Sequence, residues 1–240
     1  MTTTELRLAP NQRRDRREAS RLSIFNAWFF DSINEYANHI ADAHKRDAFD
    51  GIASGRILEI GAGTGANFSF LPPRSTILAL EPNPAMHQAL ERRAGEYGMH
   101  LELLTNPAET MPLEDDSVDT VISTLVLCTV DDPDAVLQEV KRVLRPGGTF
   151  RFVEHVAAHP ASPRRWLQRA LVRPWAWLFE GCQLDRHTAD AINAAGFAHV
   201  KLHRGRFRHS VFVPVNRVIS GVATKSPARI PPPSSRPSST

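Results

Sequence analysis

Cysteine is scarce in this chain, with only Cys128 and Cys182 among 240 residues. Two thiols cannot build a disulfide framework or a thiolate zinc cage, and their spacing is not that of a redox pair, which points to a reducing, cytoplasmic setting. The ten histidines contain no H-E-x-x-H or other compact ligand set, so no metal is expected. Also missing is any apolar run approaching the roughly 18 to 20 residues that cross a bilayer. The N-terminus lacks the basic, apolar, small-residue order of a signal peptide, so the chain is expected to be neither secreted nor integral to a membrane. With 42% hydrophobic and 23% charged residues and no internal repeat, the composition fits one globular domain with extensions. The formal charge of +3 comes mainly from unevenly placed Arg and speaks for basic tails; no nucleic-acid partner is expected.

Residues 1–21 gather Arg7, Arg13, Arg14, Arg16, Arg17 and Arg21 among few large apolar side chains, and are expected to form a basic disordered arm. Weak contact with an anionic membrane surface is the most such an arm supports, because Glu5, Asp15 and Glu18 dilute its charge. From Leu22 to Phe49 the apolar positions recur near helical spacing, with a break at Asp31-Ser32, which predicts a preface of two helices. Then the period changes. Arg56–Ile60, Thr76–Leu80, Leu101–Leu104, Val118–Ser123 and Thr149–His155 are short apolar or β-branched runs. They alternate with helical stretches near Ala66–Phe70, Ala85–Gly95 and Pro133–Leu144. Such alternation predicts a parallel sheet with crossover helices, and Pro146-Gly147-Gly148 reads as a structural turn into the fifth strand. After His155, Pro160, Pro163 and Pro174 interrupt the pattern among Trp166, Trp175, Trp177 and Phe179, which suggests a helical insertion serving as a substrate lid. A helix over Asp185–Ala195, capped by Gly196, leads to two closing strands at Ala198–Arg204 and His209–Val215, expected to be antiparallel. The domain is thus placed at 22–224, followed by a disordered Pro/Ser-rich tail at 225–240.

The segment richest in chemistry is Ile57-Leu58-Glu59-Ile60-Gly61-Ala62-Gly63-Thr64-Gly65-Ala66, an apolar strand running into a glycine turn. Glycines there let the backbone approach a ligand closely. Gly61, Gly63 and Ala66 also satisfy G-x-G-x-x-A, with Glu81 near the 20-residue interval of a ribose-binding acid, so this motif alone does not separate a methyl donor from NAD. Two features favour the methyl donor. Glu59, two residues before the first glycine, is a carboxylate at an apolar strand end that needs a cation or ordered polar groups, and Gly65 gives G-x-G-x-G. Downstream, Ala108–Pro112, Asp115–Asp119 and Arg142–Gly148 occur in the order typical of class I S-adenosylmethionine methyltransferases.

A narrower resemblance spans Ile24 to Lys225. Gly61–Phe68, Pro72-Pro73, Glu81–Pro84, Thr124–Cys128, Glu154–Ala158 and Phe179–Cys182 resemble the methyltransferase-like family of small-thiol S-methyltransferases. That resemblance implies an α/β, Rossmann-like fold with a seven-stranded, mostly parallel sheet, S-adenosylmethionine as cofactor, and a small lipophilic acceptor, preferably a thiol. Better-known members carry an N-terminal membrane-anchoring apolar helix, where this chain has its Arg-rich arm. Quinone C-methyltransferases share the cofactor motifs but fewer of the other segments, and leave a quinone-like ring as the alternative acceptor. Two further readings are an NAD-linked oxidoreductase, which lacks a Tyr-x-x-x-Lys pair, and a non-enzymatic scaffold acting through its basic arm.

In such a fold Glu59, Gly61, Ala62, Gly63, Thr64 and Gly65 would form the cofactor loop and Glu81 would accept from the ribose hydroxyls. Pro82 and Asn83 would flank adenine or ribose. Ala108 and Glu109 would border adenine, Pro107 standing where an Asp often makes that contact. The backbone of Ser123, Thr124 and Leu125, after the fourth strand, would meet the methionine ammonium. Methyl transfer to sulfur is an in-line displacement that positioning and desolvation largely accelerate. A thiol near pKa 8.5 would still gain from a base, and His155, with Glu154 beside it, is the candidate; a histidine held at a strand end for structural reasons is the other reading. Cys128 and Cys182 read as buried, inert thiols, and Asp119 as lying near a strand start, away from the site. Trp28, Phe29, Phe30 and Tyr36 could roof the pocket and Trp166, Trp175 and Trp177 line its substrate side, although an ordinary aromatic core explains both groups.

Overall fold

In the computed structural model residues 20–228 are described. The expected arm and tail lie outside those residues except at their inner edges. Arg21 opens the first helix. Lys225 is pinned, its N–H donating to the Gly148 carbonyl at 3.0 Å and its Nζ pairing with Asp116 at 2.6 Å.

Helix α1 (Arg21–Ser32) and helix α2 (Asn34–Phe49) meet at Ile33, one residue past the expected break. Strands β1 (Arg56–Ile60), β2 (Thr76–Leu80), β3 (His100–Leu104), β4 (Val118–Thr124), β5 (Leu144–His155), β6 (His199–Arg206) and β7 (Arg217–Thr224) form one sheet in the order β3-β2-β1-β4-β5-β7-β6. The first five strands run parallel, and β7 lies antiparallel between β5 and β6. Helices α3 (Pro84–Glu96), α4 (Pro133–Val143), α5 (Pro163–Leu178) and α6 (Thr188–Ala194) complete the α-helices of the described residues. Three of them start alike: Asn83, Asp132 and Ser162 each accept a backbone N–H of the first turn, and a proline follows with φ already suited to the helix.

Strand side chains alternate between two apolar layers. Leu58, Ile60, Leu78 and Leu80 pack with Val136 and Val140 of α4 and Ile192 of α6; Ile57, Ile77, Ala79 and Ile122 pack with Ala48 and Phe49 of α2 and Leu90 of α3. Burial on both faces explains why these strands read as continuous apolar runs. The strand order reverses between β1 and β4, which opens a crevice at their carboxyl ends.

Two expectations fail. The segment Ala66–Phe70 holds only a 3-10 turn, Phe68–Phe70. Pro72 and Pro73 stop a helix there, Pro72 forcing Leu71 into extended backbone with ψ 154°. The second closing strand is β7 at Arg217–Thr224, while His209–Val215 is irregular apart from a 3-10 turn containing Pro214. Pro214 offers no N–H to a ladder, and the run Val218–Ala223, in the interior of the sheet, takes the place instead. The Pro146-Gly147-Gly148 turn is present as an irregularity within the length of β5, with Gly147 at φ +80°.

Gly221 of β7 sits opposite Phe152 and Leu202, where an added Cβ would collide with the Lys201 carbonyl and come within 3.0 Å of Phe152. Gly95, within α3, has open space instead. Gly221→Ala is therefore expected to destabilise the domain by about 3 kcal/mol or more, and Gly95→Ala to stabilise it by about 0.5–1 kcal/mol. Denaturant midpoints of the two variants check both signs.

Candidate active site

The crevice holds a cavity of about 690 Å³ bounded by the glycine loop, the ends of β2 and β4, the preface helices and the segment after α5. Its floor depends on glycine twice. Gly61 has φ +59°, and a Cβ there would lie 2.5 Å from Val126 Cγ2; Gly63, at φ +56°, leaves its N–H free to donate to Glu81 Oε2 at 2.8 Å. The other Glu81 oxygen accepts from the Asn83 N–H at 2.8 Å. Glu81 thus ties the loop after β1 to the start of α3 and still faces the cavity with unused lone pairs, as the ribose assignment requires. Burial pushes its carboxyl up to about 7.

Glu59 is equally buried. Oε1 accepts from Asn67 Nδ2 at 2.7 Å, whereas Oε2 has no partner among the described residues. Burial raises this carboxyl to about 7, opposed by the Asn67 hydrogen bond and by the Lys45 ammonium. Lys45 is itself buried on the inner face of α2, bonded to Asn38 Oδ1 at 2.6 Å, and desolvation lowers it to about 8. An orphaned buried carboxylate oxygen at the wall of a glycine-lined cavity fits a ligand that carries an ammonium group. The residues present therefore fit S-adenosylmethionine. They fit NAD less well, because the glycine loop leads into a 3-10 turn and presents no helix N-terminus to a pyrophosphate.

Of the expected cofactor residues, Glu59, Gly61, Ala62, Gly63, Thr64, Glu81, Pro82, Asn83, Ala108, Glu109, Thr124 and Leu125 line the cavity. Gly65 and Ser123 do not. Gly65 is needed for packing, since a Cβ there would meet the Phe68 ring at 2.8 Å. Ser123 donates from Oγ to Glu154 Oε1 at 2.6 Å, behind the cavity. Glu109 lies at the rim, but its Oε1 is taken by the N–H groups of Asp131 and Asp132, so it braces the approach to α4. Asp119 stays near the start of β4, paired with Arg145. The polar cavity residues that were not anticipated include Lys45, Asn67, Asn106 and Glu180. Lys45 had a visible signal, a lysine in the Ala41–Lys45–Ala48 inner stripe of α2.

The catalytic pair separates. Glu154 does not reach the cavity. Fully buried, it accepts from Ser123 Oγ and from the N–H groups of Val126 and Leu127 at 3.2 Å, so its role is to hold the loop after β4. His155 does line the cavity, and its Nε2 lies 3.2 Å from Cys182 Sγ, which is 3.5 Å from Cys128 Sγ. The cysteines are buried as expected, but they are not isolated: both stand at the cavity wall. Hydrogen bonding with Cys128, and then with His155, holds the Cys182 thiol below its usual range, while the same sulfur contact and burial raise Cys128. Around this end Phe29, Phe30, Tyr36, Trp175, Phe179 and Phe212 form an apolar enclosure. Trp28, Trp166 and Trp177 lie outside it, each largely exposed. Among the described residues no helix is long and apolar enough to cross a membrane.

A methyltransferase-domain family matches residues 58–152. A SAM-dependent methyltransferase from Thermotoga maritima superposes with a TM-score of 0.60 at 22% identity, covering 85% of this chain and 98% of that one. Fold and cavity thus define the class, a Rossmann-like S-adenosylmethionine-dependent methyltransferase. Human thiol S-methyltransferase TMT1B is 40% identical over 179 residues, 70% of this chain and 73% of the relative. Human thiol S-methyltransferase TMT1A is 42% identical over 150 residues, and this match spans 61% of that protein's length. The chain belongs to the thiol S-methyltransferase family.

The buried carboxyls set two pH responses of opposite sign. Without ligand, Glu59 and Glu81 take up protons more readily in the folded chain than at the usual 4.5. Their contribution to stability is complete below 4.5 and is lost as pH rises through about 7. The melting temperature of the free protein should fall across that window. Affinity for S-adenosylhomocysteine should instead rise across it, as the carboxylates ionise to meet the ammonium and ribose. Glu59→Gln should flatten much of that rise and weaken binding by about 1–3 kcal/mol. Thermal melts and calorimetric titrations at pH 6 and pH 8 read both effects.

Proposed function

We propose that this chain transfers a methyl group from S-adenosylmethionine to the sulfur of a small lipophilic thiol. The observation that carries this reading is one continuous cavity with two unlike ends. One end offers Glu81 and the unpartnered Glu59 oxygen to polar groups, and the other offers aromatic rings with His155 and two sulfurs at its wall. The curated relatives' names supply the acceptor class, since both are described as thiol S-methyltransferases.

When bound, the donor supplies a methyl carbon activated by its sulfonium charge. The chain's own groups then do four things. Glu81 fixes the loop and accepts from the ribose, Glu59 neutralises the ammonium, and the backbone at Thr124 and Leu125 closes that end, with Leu125 held at φ +59° by its N–H bond to the Val153 carbonyl at 2.9 Å. The aromatic enclosure excludes water from the acceptor, which strengthens the pull of fixed charges on it and aligns the sulfur for in-line attack. No covalent intermediate with the enzyme is required.

The test is calorimetry followed by turnover. S-adenosylhomocysteine should bind in the micromolar range, about −8 kcal/mol, with no detectable binding of NAD. A small alkyl thiol should then be methylated at least tenfold faster than a hydroquinone at equal concentration. Faster methylation of the hydroquinone would replace the thiol reading with that of a ring methyltransferase, and binding of NAD alone would remove both.

A further inference from the structure

The cluster at the acceptor end is compact. Cys128 follows β4, His155 ends β5 and Cys182 follows α5; Nε2 of His155 is 3.2 Å from Cys182 Sγ, the sulfurs are 3.5 Å apart, and all three ligand atoms lie within 4.8 Å of one another. They are 27 and 54 positions apart in sequence, so no short motif announces them. For a tetrahedral zinc ion with Zn–S about 2.3 Å and Zn–N about 2.0 Å, the S–S edge is about 3.8 Å and the S–N edge about 3.5 Å. Two of the separations, 3.5 and 3.2 Å, fall short of those edges by only about 0.3 Å, and the third, from Cys128 to His155, lies within 4.8 Å, so side-chain rotation brings all three atoms onto one ion.

The backbone around the cluster is fixed independently of any ligand. The Gln183 N–H donates to the Cys128 carbonyl at 2.8 Å, joining the two cysteine loops directly. Gly181, at φ +87°, permits that approach, since a Cβ there would lie 3.3 Å from the Thr129 carbonyl. Glu154 clamps Val126 and Leu127, just before Cys128. Three soft or borderline ligands are thus held on three different elements, buried from solvent, with one side open to the acceptor end of the cavity. Three protein ligands with an open fourth position is the arrangement of a catalytic zinc site.

From this geometry we infer that Cys128, His155 and Cys182 bind one zinc ion whose open position takes the sulfur of the acceptor. The metal site stands on the cluster alone; its open position being filled by a thiol rests on the function proposed above. Two thiolates and a neutral imidazole balance the dication, so a third thiolate, entering as the fourth ligand, leaves the complex with a net negative charge and the acceptor sulfur electron-rich. As it enters, before the enclosure shuts out water, the acceptor R–SH gives its proton to a water molecule that leaves the cavity with it. Its sulfur then forms a bond to the methyl carbon as the donor's sulfonium C–S bond breaks. The products are a neutral thioether, a poor zinc ligand that departs, and S-adenosylhomocysteine. Ligation thereby supplies the thiolate, and His155 holds the metal in place of taking the proton.

The purified full chain is analysed for zinc, then stripped and titrated with cobalt(II). The expected result is about one equivalent of metal, with sulfur-to-cobalt charge-transfer absorption in the near ultraviolet and tetrahedral d–d bands in the visible. Adding a small alkyl thiol should shift the d–d bands. Cys182→Ser and Cys128→Ser should each weaken cobalt binding at least tenfold while S-adenosylhomocysteine still binds, which also verifies folding. If either variant fails to fold, the intensity of the wild-type charge-transfer band, which scales with the number of bound thiolates, decides the ligand set. No cobalt spectrum in the wild type, or the same spectrum in both variants, overturns the site. A cysteine-dependent spectrum that ignores added thiol overturns the acceptor's place in it. A thiol-responsive spectrum without thiol methylation upholds the metal site and refutes the proposed activity.

Discussion

Desolvation of acidic side chains at the carboxyl ends of the central strands is the constraint on which this active site depends. β1, β2 and β5 end in or next to Glu59, Glu81 and Glu154, all buried. Each would be costly there without partners, and each has been given backbone or amide donors drawn from a different loop. Glu81 gathers Gly63 and Asn83, Glu154 gathers Val126, Leu127 and Ser123, and Glu59 gathers Asn67. The carboxylates therefore act as staples that set the shape of the cavity floor. Glu59 alone keeps an oxygen in reserve. That spare acceptor leaves the cofactor end with an unfilled hydrogen-bond site, which the proposed ammonium-bearing cofactor would fill.

The parts of the fold legible in the sequence were those governed by local periodicity. Strands β1 to β5 stood out as short apolar or β-branched runs, most plainly β1 and β2, which are buried on both faces, and α3 and α4 as the helical stretches between them. Readings failed where a distant contact overrode the local pattern. Ala66–Phe70 looked helical, yet Asn67 is committed to Glu59 and Thr124, and two prolines follow. His209–Val215 alternates like a strand, but the slot beside β5 is filled by Arg217–Thr224.

The candidate site divides along the same line. Its cofactor half was readable because a glycine turn and an acid on the next strand are short-range signals. Its acceptor half comes from α1, α2, α5 and the segments after α5 and β6, whose side chains meet only in three dimensions. The pairing of Cys128 with Cys182 across 54 positions belongs to this second kind, as does the reassignment of Glu154 from candidate catalyst to support of a loop. Aromatic content predicted an enclosure without saying which rings would face inward: Trp175 does, whereas Trp166 and Trp177 on the same helix do not.

The position of β7 carries a consequence for how the domain comes into being. Among the described residues it is the last strand, yet it is an interior strand of the sheet, lying between β5 and β6. During synthesis β6 leaves the ribosome with no edge to join, because its only ladder runs through a strand not yet made. Until residues 217–224 emerge, β5 exposes an unfilled edge and Phe152 lacks its cross-strand partner, Gly221. Assembly is thus vectorially delayed. The nascent protein must be kept from pairing that open edge with another chain until its final strand slides in and closes it.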